Sequence, residues 1–209
     1  MTPLAALDQG VLELGLSLPG GAQARLREYA ALIEKWNRTY NLTAIRDPLK
    51  IMTHHLLDSL CVVPHLPPGT LADVGSGGGL PGIPIAIAQP ERRVTVNDAN
   101  AKKAAFLKQV KIELALDNLA VCEGRVEQWR PAPGFDAVIT RGFAQLADFV
   151  ASCRHLLARG GLLLAMKGAY PRDELARLPA DVEVGDILAL RVPGLEAERH
   201  LVRMGFRIA

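Results

Sequence analysis

The sequence is short of the features that define several large protein classes. It has only three cysteines, Cys61, Cys122 and Cys153, far apart and without CxxC or the Cys/His spacing of a zinc site. That excludes a disulfide scaffold and a cysteine-based metal module. It predicts reduced thiols in a cytoplasmic chain that holds no metal. A charge excess is also lacking, since 24 Lys and Arg against 22 Asp and Glu give +2. Composition alone therefore does not indicate nucleic acid, although a local basic face stays open. No run approaches the ~20 apolar residues of a membrane span. The first residues carry Asp8 and Glu13 and no basic stretch, so no signal peptide is expected. Internal repeats and low-complexity tracts are absent too.

What is present is a high apolar content, 49%, enough for a sizeable core. A length of 209 residues suits one domain with an appendage. The Pro and Gly punctuation of the first 21 residues predicts a loosely held start. Leu26, Tyr29, Ile33 and Trp36 then recur at helical spacing, which predicts a helix over 22–38 and puts Trp36 in the core. Pro48 opens a second helix to about Val63, ended by Pro64, Pro67 and Pro68. After Gly69 short strands alternate with helices. Strands are expected at 71–74, 93–97, 119–122, 135–140 and 161–166, with helices at 83–88, 101–116 and 146–157. Alternation of this kind implies a parallel sheet covered on both faces. The β-rich tail, 182–192 and 199–206 around Pro193-Gly194, predicts an antiparallel pair at the sheet edge. The expected division is a helical extension over 1–68 and a nucleoside-binding domain over 69–209.

The chemistry-bearing feature is Asp73-Val74-Gly75-Ser76-Gly77-Gly78-Gly79-Leu80-Pro81-Gly82, between a strand and a helix. Glycine suits a tight turn that a ligand must approach closely. No Lys-Ser/Thr pair follows, so this is not a triphosphate loop. Two registers compete: GxGxxG from Gly77 through Gly79 and Gly82, and GxGxG from Gly75 with Asp73 just before it. Pro81 and Pro84 remove backbone donors, and Asp73 repels a pyrophosphate. Both tilt the loop toward S-adenosylmethionine, whose ammonium an acid would welcome. Asp98, at the end of the second strand, fits a ribose acceptor, or else an N-cap, a job Asn100 can also do.

In this order the chain carries Asn41-Leu42-Thr43, His55-Leu56-Leu57-Asp58-Ser59, the loop ending Gly79-Leu80-Pro81-Gly82, Gly124-Arg125-Val126-Glu127, Phe135-Asp136 through Thr140-Arg141, Lys167-Gly168 and Glu198-Arg199-His200-Leu201. From about Leu26 to Met204 it thereby resembles the RsmG (GidB) family, bacterial methyltransferases that make N7-methylguanosine in 16S ribosomal RNA. One departure is Ala99-Asn100, where the family often has Ser. The resemblance implies a Rossmann-like class I methyltransferase with a seven-stranded, mostly parallel sheet, a terminal antiparallel hairpin and N-terminal helices. It implies S-adenosylmethionine as cofactor and the small ribosomal subunit or its rRNA as partner. It places Gly75 and Leu80, with Gly77 of the same loop, along the methionine and adenosine moieties. It places Asp98 on the ribose, Val126 and Glu127 on the adenine and Arg141 in the cofactor site.

Guanine N7 has a free in-plane lone pair and no proton, so no general base is expected and no catalytic acid or base is named. Arg141 is expected to anchor the methionine carboxylate, with a phosphate or guanine O6 as alternatives. For RNA, Lys167, Arg199 and His200 are the candidates. The wider clusters Lys102, Lys103, Lys108, Lys111 and Arg199, His200, Arg203, Arg207 read equally as solvated faces. His55 and Asp58, three apart on a helix, are placed to meet, as a structural pair or as a wall of the cofactor cleft. Tyr40 and Asn41 either cover the pocket or cap the first helix. A monomer is expected. The alternatives are a methyltransferase of small molecules or proteins and a non-catalytic nucleotide-binding module.

Overall fold

The computed structural model describes residues 2–143 and 145–207. The first turn is not loose. Helix α1 (Pro3–Glu13) is started by Thr2, whose hydroxyl accepts from the Ala5 amide, and by Pro3 at its first position. Its Ala6, Leu7, Gly10 and Val11 form a buried stripe. Gly10 lets it lie directly on Leu57, where a Cβ would come within 2.2 Å of the leucine. The punctuation at Pro19–Gly21 thus separates two docked helices. α2 (Ala22–Tyr40) follows, ended by Asn41 in the left-handed region.

The helix opened by Pro48 is continuous in space over 48–60 but not uniform. It runs as α3 (Pro48–Lys50), a wider π-helical stretch (Ile51–Leu57) and α4 (Asp58–Leu60), capped by Asp47. A 3-10 turn (Val63–His65) leads to the sheet. The sheet alternates with helices: β1 (Leu71–Val74), α5 (Gly82–Ala88), β2 (Val94–Asp98), α6 (Ala101–Glu113), β3 (Leu119–Glu123), β4 (Phe135–Thr140), α7 (Leu146–Cys153) and β5 (Leu157–Lys167). A short α8 (Arg172–Leu175) precedes β6 (Val182–Ala189) and β7 (His200–Phe206). Helix α6 stops before the expected residue 116. Ala115 takes a left-handed φ of 48°, and the Leu116 amide donates back to the Lys111 carbonyl, a C-terminal lock that still buries Leu116.

The sheet order is β3-β2-β1-β4-β5-β7-β6, with the first five strands parallel and β7 antiparallel to both neighbours. This is the α/β class I arrangement with an edge hairpin. Alternate residues face opposite cores. Ala137 and Ile139 of β4 join the core that also holds Leu7, Leu26 and Phe106, while Val138 joins the core of Leu146, Phe149 and Cys153. The N-terminal helices therefore share one core with a face of the sheet. Strand order reverses between β1 and β4, where Thr140 donates its hydroxyl to the Val74 carbonyl. A crevice forms at the carboxyl ends of strands at such a switch point. Among the described residues no helix is long and apolar enough to cross a membrane.

Candidate active site

The loop after β1 owes its shape to four anchors. The Ser76 amide donates to the Asn97 carbonyl and its hydroxyl to the Asp73 carbonyl. The Gly77 amide donates to Asp98 Oδ2 (2.9 Å) and the Gly82 amide to Asp73 Oδ2 (2.8 Å). Tyr29 of α2, fully buried, donates its hydroxyl to the Gly78 carbonyl. The glycines divide into two kinds. A Cβ at Gly79 would strike Ile83, and one at Gly82 would strike Val96 and Asp73, so these two permit packing. Gly75 (φ 65°) and Gly77 (φ 59°) need left-handed backbone, and a Cβ there would meet nothing nearer than 4.0 Å. They form a bare shelf at the carboxyl edge of the sheet.

Asp98 borders the shelf. Its Oδ2 accepts from Gly77 and its Oδ1 from the Asn100 amide (2.8 Å), so two backbone donors orient it. Each oxygen keeps a further lone pair for a diol. The N-cap of α6 is Asn100, which accepts from the Lys102 and Lys103 amides. Asp73 behaves differently. It is completely buried beneath the loop, its Oδ1 has no hydrogen-bond partner among the described residues, and burial pushes its carboxyl up to about 7. It closes the loop through Gly82 and is shut off from the open side, so it is not positioned to receive an ammonium. Val126 and Glu127 lie on a 3-10 turn (Val126–Gln128) after β3, also at the carboxyl edge. Val126 packs on the Phe149 core, and Glu127 is exposed, 3.6 Å from Arg125. Leu80 is buried within the loop. Bare glycine shelf, oriented carboxylate and flanking turn all fit a nucleoside with a flexible tail.

Arg141 leaves the end of β4 across the switch point. Its NH1 donates to Asp58 Oδ2 (2.8 Å) and the His54 carbonyl (3.1 Å), and its NH2 lies 3.4 Å from His55 Nδ1. Arg199 closes the same carboxylate from the other side, Nε to Asp58 Oδ1 at 2.7 Å. The Asp58 side chain is 2% exposed. His55 does not pair with Asp58. In the widened turn its Nε2 meets the Thr43 hydroxyl at 2.9 Å, and burial with the neighbouring Arg141 cation lowers its pKa to about 4. His54, His55, Asp58, Arg141, Lys167 and Arg199 line a cavity of about 370 Å³.

Lys167 ends β5, as its position requires, but its amine is held by Glu174 Oε2 (2.8 Å) and the Phe143 carbonyl (3.1 Å). His200 pairs with Lys167 in the ladder, donates from Nδ1 to the Gly168 carbonyl and stands edge-on to Tyr170. The tail cluster separates. Because β7 starts at the cavity and runs away from it, Arg207 lies roughly 26 Å along the strand from Arg199 and pairs with Glu183. Lys108 is tied to Glu123 and Lys103 approaches Asp98. Trp36 packs on Phe106 and Tyr40, and Asn41 accepts from Arg46. Cys61 and Cys153 are buried free thiols pushed up to about 12 by burial, and Cys122 is half-buried. One group of the site escaped sequence reasoning: Tyr29 reads only as one apolar position of a helix. Of the two readings open for Asp58, a pair with His55 or a wall of the cleft, the structure puts it in the cavity wall, with Arg141 and Arg199 as its partners.

The family model described as rRNA small subunit methyltransferase G (GidB) matches residues 22–202. The ribosomal RNA small subunit methyltransferase G of Aromatoleum aromaticum is 58% identical over 95% of this chain and 96% of its own. That of Nitrosospira multiformis is 53% identical over 97% of each. Among solved structures, the glycopeptide N-methyltransferase MtfA superposes with a TM-score of 0.60 at 14% identity, covering 76% of this chain and 98% of that one. A SAM-dependent methyltransferase from Aquifex aeolicus gives 0.58 at 15% identity, covering 84% and 97%. Those two likenesses bear on the fold, and the sequence matches bear on the family. This chain belongs to the rRNA small subunit methyltransferase G (GidB) family.

Proposed function

We propose that the chain transfers a methyl group from S-adenosylmethionine to N7 of a guanine in 16S rRNA of the small ribosomal subunit. The observation that carries this is the bare Gly75–Gly77 shelf beside Asp98, opening next to the Arg141–Asp58–Arg199 cavity. It occurs in a chain whose relatives named for rRNA methylation match along nearly its full length.

When bound, S-adenosylmethionine supplies a sulfonium methyl with a good leaving group. The chain's part is to bind, orient and exclude water. Gly75, Gly77 and Leu80 line the path of the methionine and adenosine moieties. Asp98 accepts the ribose hydroxyls, and Val126 with Glu127 meets the adenine edge. Arg141, fixed through NH1, offers its remaining N–H groups to the methionine carboxylate. No residue has to remove a proton before attack, because N7 carries none. Holding the base in line with the methyl supplies about 7–11 kcal/mol by positioning. The same reading makes the protein a cytoplasmic monomer acting where ribosomes assemble.

The test is incubation with labelled S-adenosylmethionine and small subunits, naked 16S rRNA or a metabolite extract. Label is mapped by reverse transcription after cleavage at N7-methylguanosine. Label is expected at one guanine of the rRNA and is expected to vanish when 7-deazaguanine replaces it. Label confined to metabolites would sink the proposal.

A further inference from the structure

The cavity beside the shelf is walled by three cations, and they are not equally available. Lys167 gives its amine to Glu174 and the Phe143 carbonyl. Arg141 gives NH1 to Asp58 and the His54 carbonyl and turns NH2 to His55. Arg199 spends Nε on Asp58 and NH1 on the Glu198 carbonyl. Among the described residues its NH2 has no partner. Arg199 sits just before β7, and His200 pairs with Lys167, so the guanidinium stands at the carboxyl edge where β4 and β5 also end. The buried Asp58 holds the fork in place, since leaving would take the donor from Oδ1 of a carboxylate that is 2% exposed and leave Arg141 alone on Oδ2. The cavity's 370 Å³ lies within the ~300–1,000 Å³ usual for ligand clefts.

A purine acceptor has to be recognised without covering the atom to be methylated. Guanine presents two acceptors on that edge, O6 and N7. The N7 lone pair must stay open to the incoming methyl, which leaves O6 for recognition. Adenine places an amino donor where guanine has O6, and a fixed guanidinium N–H would face it donor to donor.

Building on the guanine-N7 reading, we infer that Arg199, oriented by Asp58, donates from NH2 to O6 of the acceptor guanine and selects guanine over adenine. Arg199 is then a specificity-determining contact and Asp58 a positioning residue. A phosphate oxygen offers the same acceptor chemistry, so the test has to separate base from backbone.

Small subunits are reconstituted with 16S rRNA carrying guanine, hypoxanthine or 2-aminopurine at the methylated position. Hypoxanthine keeps O6 and N7, whereas 2-aminopurine keeps N7 and lacks O6. The unaltered enzyme is expected to use hypoxanthine nearly as well as guanine, and 2-aminopurine about 10- to 100-fold less well in kcat/KM, the range for a charged hydrogen bond. Arg199→Ala is expected to bring guanine and hypoxanthine down toward 2-aminopurine, whose own rate barely changes. Asp58→Asn is expected to reduce discrimination in the same sense. S-adenosylmethionine affinity, measured by calorimetry, stays unchanged in Arg199→Ala and reports that the variant is folded. Equal use of guanine and 2-aminopurine by the unaltered enzyme overturns the inference. So does an Arg199→Ala loss that is uniform across the three bases with a shallower salt dependence, which assigns the arginine to a phosphate. Failure to methylate guanine itself overturns the functional reading and this inference with it.

Discussion

Two glycines of one loop differ in what surrounds them, and that difference predicts different phenotypes. A methyl at Gly82 would sit 2.5 Å from Val96 Cγ1 and 2.8 Å from Asp73 Oδ2. Gly82→Ala is expected to cost about 1–3 kcal/mol of stability, as overpacking does. A methyl at Gly77 meets nothing within 4 Å and instead projects onto the shelf. Gly77→Ala is expected to lose about 1–2 kcal/mol through its left-handed backbone and to abolish the rise in melting temperature that S-adenosylmethionine gives the unaltered protein. Melting curves with and without the cofactor separate the two, and a preserved rise in Gly77→Ala would show the shelf is not the ligand side. Arg141→Ala is expected to weaken cofactor binding by about 1.5–3 kcal/mol, and unchanged affinity by calorimetry would remove its anchoring role. Asp98 and the glycines were legible in the sequence because their spacing follows one strand-turn-helix unit. Asp73 was misjudged because sequence proximity to the loop does not say which side of the loop a carboxylate enters.

At the level of elements, helix α2 is part of the cofactor loop's support. Gly78 has no side chain to hold its segment, and its carbonyl is satisfied from behind by Tyr29. Tyr29→Phe leaves that buried acceptor bare and frees a glycine-rich turn. We expect cofactor affinity to fall about 5- to 150-fold, in line with the ~1–3 kcal/mol of an unsatisfied buried group. Leu26→Ala, on the same helix face and also fully buried, is expected to lower stability by about 2–5 kcal/mol with little change in affinity. Equal affinity in Tyr29→Phe and the unaltered protein would confine α2 to a packing role. The helical spacing of Leu26, Tyr29 and Ile33 was legible, but a hydroxyl on an apolar stripe carries no mark of its partner 49 residues away. The helix over 48–60 was likewise legible in extent, while its π-helical stretch and the contact of His55 with Thr43 were not.

For the whole molecule, two buried titratable groups pull stability in opposite directions with pH. His55 has its pKa lowered to about 4, so the fold disfavours its charged form. Its contribution is complete above 6.5 and is lost as pH falls toward 4. Asp73 has its pKa raised to about 7, so the fold disfavours its carboxylate. Its contribution is complete below about 4 and is lost as pH rises toward 7. The shifts amount to about 3 kcal/mol for His55 and about 4 kcal/mol for Asp73 at 1.36 kcal/mol per unit, and between pH 4 and 6.5 they pull against each other. Denaturant unfolding of His55→Gln is expected to show stability falling with pH across that window, and of Asp73→Asn to show it rising. Parallel curves for both variants would contradict the burial of one or both.

The sequence by itself determined the alternation of strands and helices, the nucleoside loop and the family, because each is encoded in local spacing of apolar residues, glycines and acids. It did not determine that the first helix is docked, since the Leu7–Val11 stripe has value only against Leu57 and its neighbours. Nor did it determine that Asp58 belongs to Arg141 and Arg199. Those three residues come from a helix, the end of β4 and the start of β7, and only the antiparallel return of β7 beside β5 brings them to one carboxylate.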